Sequence, residues 1–183
     1  MDRFLPAADE SISEQALVAA GPDRAYEALG AAEVSGDRLL GLLGGLADLD
    51  DRMAGAGTRP PTLGELLGPK LGFVELEDEP GSRRVVGIVA RYSAFDRGLE
   101  RLASDRFAMF DEPGHVKVVI GLSLAPAGSG RTLVGCDVRV RATDDDTRSA
   151  LRSSWFLVRP ALRLLARRML ELIRSEAERQ PVA

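Results

Sequence analysis

The chain has one cysteine, Cys136, and one histidine, His115. A lone cysteine rules out an intrachain disulfide, and Cys136 reads as a small core residue. One histidine and one cysteine leave only carboxylates to complete a metal site, so no metal and no cofactor are expected. Lysine is nearly absent: Lys70 and Lys117 are the only two among 24 basic residues. Such arginine richness, together with many Ala and Gly, reads first as the product of GC-rich coding. A formal net charge of −4 argues against nucleic acid as the main partner, because that recognition needs a basic face. No run approaches ~18 uncharged apolar residues, so no membrane-spanning helix is expected. The start, MDRFLPAADES, has no apolar run behind a basic segment, and the expected compartment is cytoplasmic.

Signatures of catalysis are also scarce. AGSGRT lacks the G-K-[ST] of a phosphate loop and sits between two strand patterns. No G-x-S-x-G elbow occurs. Aromatics make up only 5% of the chain, so each one carries weight.

What is present is a chain of 183 residues, 45% hydrophobic and 28% charged. That composition is expected of a soluble globular protein, here one domain over 1–183 with residues 1–10 as an extension. A monomer or a homodimer would satisfy it. SISEQALVAA reads as a strand with Ile12, Ala16 and Val18 on one face. GPDRAYEALGAA follows as a short helix with Pro22 in its first turn. DRLLGLLGGLADLDDR reads as a second short helix, weakened by its glycines. The stretch 53–62 is a Gly/Pro-rich loop, closed by a T-x-x-E capping box at Thr62 and Glu65.

From Leu71 onward the pattern is of strands. EPGS joins LGFVELED to RRVVGIVARYSAF, and AGSG joins HVKVVIGLSLAP to RTLVGCDVRVRAT, each as a hairpin. Residues 96–110 fit no single pattern. The chain closes with a long helix over 144–179, with Thr143 and Asp146 as its expected capping box. Leu151, Trp155, Val158, Leu162, Leu165, Met169 and Leu172 give it a continuous apolar stripe. Pro160 inside it predicts a kink, because it offers no N–H to the carbonyl of Phe156. The order implies an α+β fold with the long helix on one sheet face.

The stretches LVAAGPDRAYEAL and SSWFLVRPALRLLARRML, with the two late hairpin strands between them, resemble the START-like superfamily. That superfamily is also called SRPBCC or helix-grip, and it includes polyketide cyclase-like proteins. The resemblance covers nearly the whole chain, through patterns of residue type. It implies a curved antiparallel sheet wrapped around the C-terminal helix, with two short helices after the first strand. It also implies a cavity between sheet and helix for a hydrophobic or amphipathic small molecule.

Candidate site residues follow from alternation. On HVKVVIGLSL, Val116, Val118, Ile120, Leu122 and Leu124 share the face expected to meet the helix. His115 and Lys117 fall on the other face, where His115 is expected at the surface. Val138 is an inward position of the next strand. Tyr92 shares a face with Val86, Ile88 and Ala90. Trp155 and Leu162 lie on the helix stripe, and Arg159 is the arginine nearest to it. Ile88, Tyr92, Leu122, Val138, Trp155, Arg159 and Leu162 are thus the expected ligand-lining set. Glu75 and Tyr92 are the candidate catalytic groups. Glu75 faces inward if Phe73 does; if Val74 and Leu76 face inward, Glu75 is solvated.

Three functions remain open: a binder of a hydrophobic or amphipathic small molecule, a cyclase- or aromatase-like enzyme, and a membrane-peripheral or protein-interaction module. The last would use the arginine flank of the long helix. Arg148, Arg152, Arg159, Arg163, Arg167 and Arg174 fall within an arc of about 100°.

Overall fold

The computed structural model describes residues 1–34, 60–92 and 98–179. The second short helix expected over 37–52, and most of the loop 53–62, lie outside the described residues. Strand β1 (Glu10–Val18) leads into helix α1 (Pro22–Ala31). A one-turn helix, α2 (Leu63–Leu66), and a 3-10 turn (Pro69–Leu71) precede the hairpin of β2 (Val74–Glu79) and β3 (Arg83–Arg91). The short β4 (Leu99–Glu100) and α3 (Ser104–Met109) follow. The second hairpin is β5 (His115–Pro126) with β6 (Thr132–Ala142), and α4 (Asp145–Glu178) closes the described chain.

The six strands form one curved antiparallel sheet in the order β1-β6-β5-β3-β2, with β4 on the far end of β3. Helix α4 lies along β1 and β6 and also packs on α1. The expected α+β architecture, an antiparallel sheet with a long C-terminal helix across one face, is the one the chain adopts.

Local chemistry accounts for the element ends. Pro22 stands at the start of α1, where its missing N–H costs nothing. The capping box of α2 is complete: Glu65 N–H donates to the Thr62 hydroxyl, and Thr62 N–H donates to the Glu65 carboxylate. Between β5 and β6 three successive residues adopt left-handed φ, Gly128, Ser129 and Gly130, so two of them carry no Cβ penalty. At α4 the expected cap is displaced by one residue. Asp144, not Thr143, accepts from Thr147 N–H at 2.9 Å. The Thr143 hydroxyl is committed to β5 instead, accepting from His115 N–H at 3.1 Å and donating to its carbonyl at 3.0 Å. Helix α4 runs uninterrupted through Pro160.

Both sheet faces are buried, and this is the main departure from the expected layout. The inner face packs Val86, Val116, Ile120, Leu122, Cys136 and Val138 against α1, α2 and the α4 stripe. The outer face has a second apolar core, in which Leu76, Val85, Val89 and Val119 meet Phe4, Leu5 and Phe107. Residues 1–9 and α3 therefore cover a face that alternation alone assigns to solvent.

His115 shows the consequence. It is on the outer face as expected, but it is only 4% exposed rather than at the surface. Its ring stands edge-on to Phe110, with Nδ1 at 2.9 Å from the Pro113 carbonyl. Glu100 lies 3.5 Å from Nε2. Lys117, equally buried, donates to the Ala108 and Phe110 carbonyls at 3.0 and 3.1 Å and stands 5.0 Å from the Phe107 ring centre. Burial pushes its pKa below the ordinary lysine value.

Candidate functional site

The inner face is not evenly covered. Under α4, the β6 and β1 side is closed: Val134, Cys136, Val138 and Val140 are all buried. Toward β3 the cover thins. Ile88 and Ala90 on β3, Tyr92 just past its end and Val118 on β5 remain partly exposed while packing on the inner core. Val158 and Leu162 of α4 are also partly exposed and pack on the same core. The result is an apolar strip along β3 and its neighbour β5, bordered by one flank of the long helix.

At the α4 N-terminal end the strip has a polar element. The Tyr92 hydroxyl lies 2.6 Å from the Ser154 hydroxyl and 3.3 Å from the Ala150 carbonyl, and the Ser154 hydroxyl lies 3.0 Å from the Leu151 carbonyl. Tyr92 thus ties the chain just past β3 to the helix. Trp155, 9% exposed, lies beside Ser154 in the chain on the core side of α4.

At the opposite end of β3 a charged cluster borders the same face. Arg84 pairs with Glu75 at 3.1 Å, and Tyr26 of α1 donates to Asp78. Desolvation, and then the Asp78 hydrogen bond, push the Tyr26 hydroxyl up to about 12.

The structure brings together six of the seven expected lining residues. Ile88, Tyr92, Leu122, Val138, Trp155 and Leu162 all belong to the inner core or pack on it. Leu122 and Val138 are buried at its floor, only 2% and 3% exposed. Arg159 is exposed on the flank of α4. For Glu75 the register with Phe73 inward holds: Phe73 is in the inner core and Val74 and Leu76 are on the outer one, and the bulge between Glu75 and Glu77 changes parity only after them. Glu75 is paired with Val86 on the inner face, whereas Leu76 turns to the outer core. Its side chain is 52% exposed and salt-bridged to Arg84, so it is not the buried acid of a catalytic cavity. The expected lining set leaves out Ala90, Val118, Val158 and Ser154. Ser154 is one serine in an SS pair, and Val118 sits among five alike inward positions.

The fold and the strip define an α+β protein with a partly open apolar inner sheet face. No protein-family model matches the chain, and no curated protein matches it. Solved structures similar to it include protein MLL2253 from Mesorhizobium loti, at 12% identity and TM-score 0.42, covering 94% of this chain and 100% of that one. The Zhui aromatase/cyclase from Streptomyces sp. R1128 aligns at 16% identity and TM-score 0.30, over 93% of this chain and 94% of that one. The di-domain ARO/CYC BexL aligns at 12% identity and TM-score 0.34, over 97% of this chain and 53% of that one.

Proposed function

We propose that the protein binds a hydrophobic or amphipathic small molecule along β3 and β5, beside α4. The observation that carries this reading is the incomplete burial of Ile88, Ala90, Tyr92, Val118, Val158 and Leu162, six residues that pack on one core. Apolar surface left open beside a packed core gains about 25 cal/mol for each Å² a ligand covers. Tyr92 and Trp155 each offer one polar atom to a polar group on that ligand.

Titration with an apolar fluorescent probe such as an anilinonaphthalene sulfonate tests this, with Trp155 emission as a second readout. Saturable binding at one site is expected, and Ala90→Trp or Val118→Trp, each filling the strip, weakens it at least about tenfold. Unsaturable binding, or binding that neither variant changes, removes the reading.

A second reading, a cyclase- or aromatase-like enzyme, is favoured by the Tyr92–Ser154 hydroxyl pair at the end of the strip. Turnover of a poly-β-keto thioester that Tyr92→Phe abolishes, while leaving probe affinity intact, would select it.

A further inference from the structure

Helix α4 has a second apolar face that the packing does not use. Phe156, Leu157 and Leu164 are 72%, 66% and 49% exposed. Pro160 and Ala161 between them are exposed as well. At 100° per residue, Ser153, Phe156, Leu157, Pro160, Ala161 and Leu164 share an arc of about 140°. Its centre is opposite the arc of Trp155, Leu162 and Met169 that meets the core.

The surroundings of this face are basic. From Arg152 to Arg168 the helix holds five arginines and no acidic residue. Glu14 pairs with Arg163 at 3.3 Å and Arg167 at 2.9 Å, and Glu171 pairs with Arg168 at 2.8 Å. Five charges less those two carboxylates leave a patch of net three positive. Arg152 and Arg159 form no ion pair with a described residue. The stretch measures about 26 Å along the axis. Asp145 and Asp146 lie beyond one end and Glu171 beyond the other.

Charge decides which surface this face fits. In a two-fold pairing of two copies through this face, two patches of like positive charge would be brought together, and they would oppose contact. An anionic bilayer offers the reverse, an apolar interior bounded by phosphates. We propose that the outward face of α4 docks the protein on an anionic lipid surface. The helix lies in the interfacial plane, with Phe156, Leu157 and Leu164 below the headgroups. Arg152 and Arg159 sit at phosphate level.

The test is co-sedimentation of the full chain with phosphatidylcholine vesicles containing about one third phosphatidylserine. Binding to these and not to pure phosphatidylcholine is expected, and it weakens as salt rises. The double variant Phe156→Ser/Leu164→Ser loses about tenfold or more in partitioning, and Arg152→Ala/Arg159→Ala loses at least about tenfold at low salt. Circular dichroism and melting of both variants stay close to those of the parent, because all four side chains are exposed. Absence of binding to anionic vesicles overturns the proposal, as does binding that neither variant alters. A doubling of mass in light scattering that Phe156→Ser abolishes also overturns it and makes a second copy the occupant.

Discussion

Gly87 and Phe107 make the outer core testable as a coupled pair. A Cβ placed on Gly87 would stand 2.7 Å from Cε2 and Cζ of Phe107 and 2.9 Å from Cδ1 of Leu76. Phe107 is fully buried and its ring is rigid, so the neighbour cannot simply swing away. Gly87→Ala is expected to cost about 1–3 kcal/mol by overpacking. Phe107→Ala empties the site and is expected to cost about 3–5 kcal/mol. In the double variant the new methyl enters the space the ring has left. There Gly87→Ala should cost almost nothing, apart from the residual contact with Leu76, and should recover some of the backbone entropy a strand glycine forfeits. The coupling energy is then about 1–3 kcal/mol in the favourable direction. Equilibrium urea unfolding of the four proteins measures it. Additive costs would show that Phe107 does not occupy the hollow over Gly87, and the outer core as described would be wrong.

Three further outcomes follow from Lys117, Asp144 and Cys136. Lys117→Met removes two charge-assisted hydrogen bonds to the end of α3 and leaves two carbonyls without donors, while sparing the burial of an ammonium. A net loss of about 1–3 kcal/mol is expected, with faster amide exchange confined to 104–110 as the local readout. Asp144 accepts from Thr147 N–H, Gly114 N–H and the Thr147 hydroxyl, which hold its carboxyl well below the ordinary value of 3.8. A depressed folded pKa contributes stability that is full above the unfolded value and is lost as pH falls below about 4. Asp144→Asn should therefore flatten stability against pH in that acid range, and an unchanged acid limb would contradict the cap. Burial pushes the Cys136 thiol up to about 12. Iodoacetamide should leave it unmodified in the native protein near pH 8 and label it fully in denaturant; rapid native labelling would show that the inner core is open at β6.

Much of the fold was legible because alternation and helical periodicity are local. The inward sets of β5 and β6 and the core stripe of α4 read correctly, since each repeats its spacing over many residues. His115 did not. Its burial comes with Phe110, whose ring stands edge-on to it, and Glu100, which lies beside Nε2, and both belong to the 96–110 stretch that fits no single pattern. A signal did exist in Val85, Val89 and Val119, outward positions that are apolar on strands already apolar inward. Glu75 was undecidable because both parities of its segment are apolar, Phe73 on one face and Val74 and Leu76 on the other; the bulge changes parity only beyond them, from Glu77 on. The helix cap slipped by one residue because Thr143 and Asp144 are both good caps; the choice was made by His115, whose backbone engages the Thr143 hydroxyl. The expected lining residues were named from strand alternation and helical spacing alone. Which of them stay partly exposed depends on how α4 is set across the sheet, and no local pattern records that. The sequence offers the arginine flank for a membrane or partner surface, but beside the core stripe; Phe156, Leu157 and Leu164, on the far side of the helix, are not assigned to it.

Native mass spectrometry of the chain purified without detergent, before and after organic extraction, tests the central claim most directly. The account predicts a discrete apolar adduct of one molecule per chain, removed by extraction and absent from Ala90→Trp prepared in the same way. The bare chain mass before extraction, or the same adduct on Ala90→Trp, would contradict it.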